Sequence, residues 1–391
     1  MPRARPTQRQ VLRASQAGCR KTLLKAFRAS AAAAAARSRP AQGGLSTLER
    51  LAIRPATETL YRSFLVRLQT YCLALGLDWH DWPSLDALLV DFFNELYLEG
   101  QGPDVGSGTL AAMAHFLPGL GRSGPTLLPR AFRAALGWKR RTPPFTRLPL
   151  PRAAMGAIVG ALIYTGRMRA AILTAVAHVC YLRPQEMMQL RVRHLVRPVA
   201  NAGPAYQYWS VLLHDSALLQ AGKTGVYDDT VVLDLDPWLY PALDCICSLL
   251  QPDDLIMDLS YSEYSKAFIQ AANLLGLGPL EPHPYQLRHG GASEDLTLKR
   301  RSAEQVRLRG RWATFVSVKR YAKDARLLDT LSMVPPEVFD YGNLVLNSFS
   351  AMLHTGCALP QGSPPTLVAA LTHGLPVPSP RTGAASRGGR K

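Results

Sequence analysis

Between Val105 and Gln185 the sequence has no acidic residue, against eleven Arg and Lys. Residues 1–40 hold ten basic residues and residues 371–391 four, again with no acid, so most of the formal charge of +17 belongs to the two ends. Removing those fourteen from the 45 Lys and Arg leaves 31 against 28 acids, or +3 for the middle. The overall charge therefore says little about a ligand. Its distribution says more, because the acid-free run and residues 281–326, with eleven basic and five acidic residues, flank an acidic segment holding Asp228, Asp229, Asp234, Asp236, Asp244, Asp253, Asp254 and Asp258. Such a stripe is the footprint of a polyanion ligand or a solvated basic face. Long hydrophobic runs are also missing. Ala153–Gly166 and Ala170–Leu182 are too short to span a bilayer and are separated by Arg167 and Arg169, so they read as buried helices. The six cysteines (Cys19, Cys72, Cys180, Cys245, Cys247, Cys357) form no CxxC pair and no His/Cys zinc spacing. That argues against a metal site or a disulfide framework and for a reduced, intracellular protein.

With 391 residues, 47% of them hydrophobic, the chain can bury two ordinary cores. Residues 1–45 are Arg- and Ala-rich with little to bury, and read as a disordered basic arm. Three roles stand for it: a non-specific DNA-binding or nuclear-import arm, an organelle transit peptide, or an extension without function. From Ser46 apolar residues recur at helical spacing: Leu60, Phe64, Leu68, Tyr71 and Leu75 over Ala56–Leu75, then Leu88, Phe92, Phe93 and Leu96 over Ser84–Leu98. Residues 109–120 and 125–138 suggest two further helices, making a helical domain over 46–141. Four prolines in TPPFTRLPLP mark 142–151 as a linker, just after the basic Lys139, Arg140 and Arg141. Residues 152–356 form the second domain, with two strands expected at Tyr206–His214 and Asp229–Leu235. The Pro-, Gly- and Ser-rich residues 357–391 read as a disordered tail. The fold class expected is mainly α with a small β-sheet, an α+β arrangement.

The chemistry concentrates in residues 281–323, where Tyr285-Gln-Leu-Arg288-His289-Gly-Gly, its Arg-His-Gly-Gly read as a turn, is followed by a basic helix, Gly-Arg-Trp312 and Lys-Arg-Tyr321. A guanidinium fits a pair of phosphate oxygens, an indole N–H donates one bond more, and a phenol can be a nucleophile. The stretch resembles the tyrosine recombinase (phage-integrase) family, whose pattern runs HxxRH, then Gly-His or Gly-Trp, then Tyr nine residues on. Leu182-Arg183 with Glu186 and Leu190 resembles that family's first box. Lys223, in Gly-Lys-Thr-Gly, is the only lysine between Lys139 and Lys266 and falls where the family has a catalytic lysine in a hairpin turn. A nucleotide-binding P-loop reading of the same run fails, since Ala217 stands where GxxxxGK[ST] needs glycine. One position departs from the family: Tyr285 replaces the usual histidine of the second box, and a phenol cannot serve as a base near neutral pH.

The resemblance implies a helical core-binding domain and a catalytic domain that close around duplex DNA. On it, Arg183 and Arg288 would clamp the scissile phosphate, with Trp312 and Tyr285 donating hydrogen bonds. Tyr321 would attack to give a 3′-phosphotyrosine while Lys223 protonates the leaving 5′ oxygen. Glu186 and His289 would brace the site, and Arg62, Arg67, Lys139, Arg140 and Arg141 would contact DNA. The partners implied are double-stranded DNA and further copies of the chain, as a tetramer on paired sites, with residues 326–355 packing on a neighbouring copy. The implied setting is the nucleus or nucleoid, without a membrane. No metal or other cofactor is implied. Two rivals share the fold: a DNA-binding protein that has lost catalysis, and a topoisomerase of type IB. Nine residues from Trp312 to Tyr321 are two and a half helical turns, so the chain must break between them if both face one phosphate.

Overall fold

The computed structural model describes residues 45–78, 81–120, 126–142, 147–216, 226–315, 318, 324–355 and 359–377. The chain divides into two compact units, Met1–Phe145 and Thr146–Lys391.

Among the described residues of the first unit are five α-helices: α1 (Thr47–Leu51), α2 (Pro55–Ala74), α3 (Trp82–Leu98), α4 (Asp104–Phe116) and α5 (Pro129–Arg141). Their starts are chemically marked. Ser46 and Glu49 form a reciprocal capping box on α1, and prolines stand in the first turn of α2, α3 and α5. Asp86 of α3 accepts from the backbone N–H of Arg130 (3.0 Å) and Ala131 (2.8 Å). A carboxylate thus caps α5 from a neighbouring helix, satisfying two orphan donors at the positive end of its dipole. Leu68, Leu89, Phe92, Phe93, Met113 and Trp138 fill the core between these helices. Each fully buried large side chain contributes about 1.5–3 kcal/mol of apolar transfer.

The second unit is organised around α6 (Arg152–Tyr164) and α7 (Met168–Val179). Every residue from Ala154 to Ile163 and from Ala170 to Val179 is buried, which only a helix covered on all sides can sustain. Around them stand α8 (Pro184–Met188), α9 (Tyr240–Leu249), α10 (Tyr261–Leu274), α11 (Gln286–Thr297), α12 (Ala303–Arg309), α13 (Asp324–Leu331), α14 (Pro336–Thr355) and α15 (Pro365–His373). A three-stranded antiparallel sheet runs β1 (Leu195–Val196), β2 (Ser210–Leu213), β3 (Asp229–Val232), with Leu195 opposite Val211 and Val211 opposite Val231. Val211, Leu213 and Val231 point into the core, the period-2 pattern of a sheet covered on one face. The fold is mainly helical with a small sheet, as expected. β2 and β3 are shorter than the stretches read from sequence, and the segment joining them holds Lys223, which lies outside the described residues.

Two expectations fail. The tail expected from residue 357 includes α15, whose Leu367, Ala370 and Leu371, with Val377 beyond it, belong to the main core. The backbone N–H of Val377 also donates to Leu274 O at 2.9 Å. Nine residues of Pro-Thr-Leu-Val-Ala-Ala-Leu-Thr-His suffice for that short amphipathic face, but Pro- and Gly-rich neighbours mask it. α14 lies in the core through Val338, Tyr341, Val345 and Phe349. It crosses α6 so closely that a Cβ on Gly342 would stand 1.8 Å from Ala153 O. Lastly, Gly290 and Gly291 are not in a turn but within α11.

Candidate active site

The first box begins where α7 ends. Tyr181 takes a left-handed backbone (φ 48°), Leu182 follows, and Arg183 is the extended N-cap of α8, whose first residue is Pro184. Glu186, one turn into α8, folds back to accept from Arg183 N at 2.8 Å, and its other carboxylate oxygen pairs with the Arg183 guanidinium. That oxygen also lies 3.4 Å from His214 Nε2, at the end of β2. The oxygen that takes Arg183 N also accepts from Arg311 Nη2 at 2.7 Å. Burial alone would raise the Glu186 pKa. The Arg311 guanidinium, the Arg183 backbone N–H, and the Arg183 and Arg288 charges reverse this and hold it below the usual carboxylate range.

Arg288 enters from α11 and is 1% exposed. Its two Nη atoms donate to the backbone carbonyls of Tyr181 and Gly310. Its guanidinium lies over the Trp312 ring, 4.7 Å from the centroid. The Trp312 ring in turn stacks on Tyr181, centroids 6.3 Å apart and planes 23° off parallel. Gly310 is required here because a Cβ would meet that indole at 2.0 Å. α11 brings Arg288 this deep by lying against α7. A Cβ on Gly290 would stand 2.0 Å from Leu150 O, and one on Gly291 2.0 Å from His178 O.

Beneath the indole, Tyr181 Oη donates to Asp295 at 2.5 Å. Burial pushes the Tyr181 phenol well up, and Asp295 adds to it. Asp295 takes Arg301 Nε at 3.0 Å, and Arg301 pairs with Asp234 at 2.5 Å. Arg300 reaches Asp236 at 3.3 Å and Glu294 at 3.4 Å, and Arg152 reaches Asp236 at 3.1 Å. The basic stripe of residues 281–326 and the acidic segment before it are thus partly one neutralised network. In sequence both arginines counted toward a DNA-binding face, yet they hold α11 against the loop after β3.

The structure brings Arg183, Glu186, Arg288 and Trp312 together. Tyr285 is the N-cap of α11, its ring under the Arg147 guanidinium (5.5 Å) and edge-on to His289 (5.1 Å). The chain bends at Ala313 and Thr314 after Trp312 before helix resumes at Phe315, and Val318 packs into the small cluster of Tyr181, Ala292 and Val306. Tyr321 lies outside the described residues. In the first unit Arg62 pairs with Glu58 at 2.7 Å, Arg67 reaches Glu99 at 3.7 Å, and Lys139, Arg140 and Arg141 are exposed at the end of α5. Sequence reasoning missed Arg311 and His214, both on Glu186, and the Tyr181 carbonyl that Arg288 and Arg311 share. Among the described residues there is no cluster of His, Cys, Asp and Glu able to hold a metal ion, and no helix long and apolar enough to cross a membrane.

No protein-family profile and no curated protein matches the chain. Among solved structures it is similar to XerH site-specific recombinase bound to palindromic difH substrate in a post-cleavage complex, at 15% identity over 63% of this chain and 69% of that one, with TM-score 0.41. It is also similar to XerA recombinase, at 14% identity over 69% of this chain and 97% of that one, with TM-score 0.33. These likenesses are of fold alone, and neither carries residue roles or partners across.

Proposed function

We propose that this chain cuts and rejoins DNA strands by transesterification, in the manner of a tyrosine recombinase. The observation that supports this best is the meeting of Arg183, Arg288 and Trp312 around Tyr181 and Glu186, with Arg288 bonded to a carbonyl 107 residues away. Three guanidiniums (Arg183, Arg288 and Arg311) depress the pKa of the one Glu186 carboxylate, so the cluster stays cationic after its internal pairing. Arg183, its side chain 19% exposed, is the member that can reach a phosphate. In this reading Arg183 and the Trp312 indole bind the scissile phosphate, and Arg288 supports both from behind. Tyr321 attacks phosphorus, forming the 3′-phosphotyrosine and breaking the bond to the 5′ oxygen, which Lys223 protonates. The second strand transfer reverses those roles. Double-stranded DNA and further copies of the chain are the partners proposed.

The test is a nicked duplex that traps the covalent intermediate. Wild type should give an adduct that resists SDS, and Tyr321→Phe should give none. An adduct persisting in Tyr321→Phe would show that another group attacks. A second reading, a DNA-binding protein of this fold without catalysis, is favoured by Tyr285 lying with Arg147 and His289 where the family has a histidine. Binding without any adduct from wild type would select it.

A further inference from the structure

We infer that Arg311 is a positioning residue of this site: it fastens Glu186 to the Tyr181 carbonyl, so that Arg183 and Arg288 are held in one fixed relation. The inference deepens the reading above and rests on it. Arg311 occupies left-handed backbone at φ 55°, directly after Gly310, the C-cap of α12. That is where a helix ordinarily ends on glycine, because a Cβ is strained there. A glycine is in fact adjacent, but Gly310 is right-handed at φ −78°, its missing side chain used to admit the Trp312 ring. The chain therefore accepts strain at 311 in order to place a guanidinium.

That guanidinium is 6% exposed and spans three elements. Its Nη1 donates to Arg309 O at 3.0 Å. Its Nη2 donates both to Tyr181 O at 3.0 Å and to Glu186 at 2.7 Å. The Tyr181 carbonyl is the one that Arg288 uses, and the Glu186 carboxylate is the one that Arg183 uses. Arg311 is thus tied to both arginines through one shared acceptor each. It also divides the Glu186 charge with Arg183, which leaves Arg183 with more uncompensated charge for a phosphate. Burial and the nearby Arg183 charge both work against the Arg311 cation, and Glu186 sustains it.

Arg311→Gly relieves the backbone while removing the link, so it separates folding from positioning. The measurements are adduct formation on the nicked duplex, duplex affinity, and thermal unfolding. We expect Arg311→Gly to fold but to melt below wild type, since the buried Glu186 loses one partner and keeps another, and to bind duplex within about threefold, yet cleave at least about 100-fold more slowly, as a small misplacement of a reacting group does. Arg311→Lys, a point charge without a planar fork, should not rescue cleavage. Adding Glu186→Gln to Arg311→Gly should cost less than the product of the two single losses, since Arg311 acts through Glu186. Cleavage by Arg311→Gly near the wild-type rate, or losses that multiply, would overturn the inference. If wild type forms no adduct, the transesterification reading fails by itself, and the Arg311–Glu186 link is read from unfolding of the same single and double variants. Additive unfolding effects there would overturn it, and coupled ones would sustain it. Should Arg311→Gly not fold, Arg311→Lys takes its place in the cycle with the same two outcomes.

Discussion

A fully buried arginine is an unusual choice for gripping a ligand. Arg288 is 1% exposed and its donors are turned to main-chain carbonyls, so the fold depends on it as much as a reaction would. Arg288→Ala would leave the Tyr181 and Gly310 carbonyls short of a donor beside a cavity, and should cost about 3 kcal/mol or more of stability. Arg183→Ala removes a part-exposed group from a carboxylate that keeps Arg311, and should cost about 1 kcal/mol or less while abolishing the adduct. Urea unfolding of both variants checks this, and an Arg288→Ala protein as stable as wild type would refute it. That Arg183, Glu186, Arg288 and Trp312 belong to one site was legible in the sequence only through the resemblance of their order and spacing to a family pattern. Arg311 was not legible. It was one of eleven basic residues in its segment, and nothing in a string of letters shows which of two adjacent residues, Gly310 or Arg311, takes the left-handed backbone.

For the elements, the decisive contact is α11 against α7. Gly290 and Gly291 read as a turn because glycine is a poor helix former. Tertiary packing outweighs that preference, since only a residue without Cβ lets α11 approach Leu150 O and His178 O. Gly290→Ala and Gly291→Ala should each destabilise by about 1–3 kcal/mol or more, because rigid backbone oxygens must move. Gly137→Ala, in α5 with nothing within 4 Å of its new Cβ, should instead stabilise by about 0.5–1 kcal/mol. Thermal melts of the three proteins decide the point, and equal shifts would discard the close-packing account. The long helices were readable from periodicity and the buried pair from their unbroken apolar runs. α15 and β1 were not readable, because nine and two residues are too short to rise above their surroundings.

Across the whole molecule, charge needs to be counted after pairing. Of the basic residues in 281–326, Arg300 and Arg301 face Asp234, Asp236, Glu294 and Asp295, while Arg307 pairs with Glu304 and Arg311 with Glu186. Arg309 donates to the carbonyls of Val179 and Val232. On the DNA reading proposed above, the exposed Lys139, Arg140 and Arg141 at the end of α5 are better placed to meet phosphates. Replacing those three by glutamine should lower the slope of log affinity against log salt by roughly 2–3, as three lost phosphate contacts do. Replacing Arg300 and Arg301 should leave the slope nearly unchanged and lower the melting temperature. Titration of duplex binding against salt measures both, and a large slope change from the Arg300 and Arg301 pair would reverse the assignment. The same network sets how the protein behaves on a charged matrix. At about 1 M salt the screening length is about 3 Å, which erases contacts made through solvent but reaches poorly into a pair such as Arg301–Asp295, 3.0 Å apart with both side chains 9% exposed. A heparin column should therefore release this chain in concentrated salt with its second unit still folded.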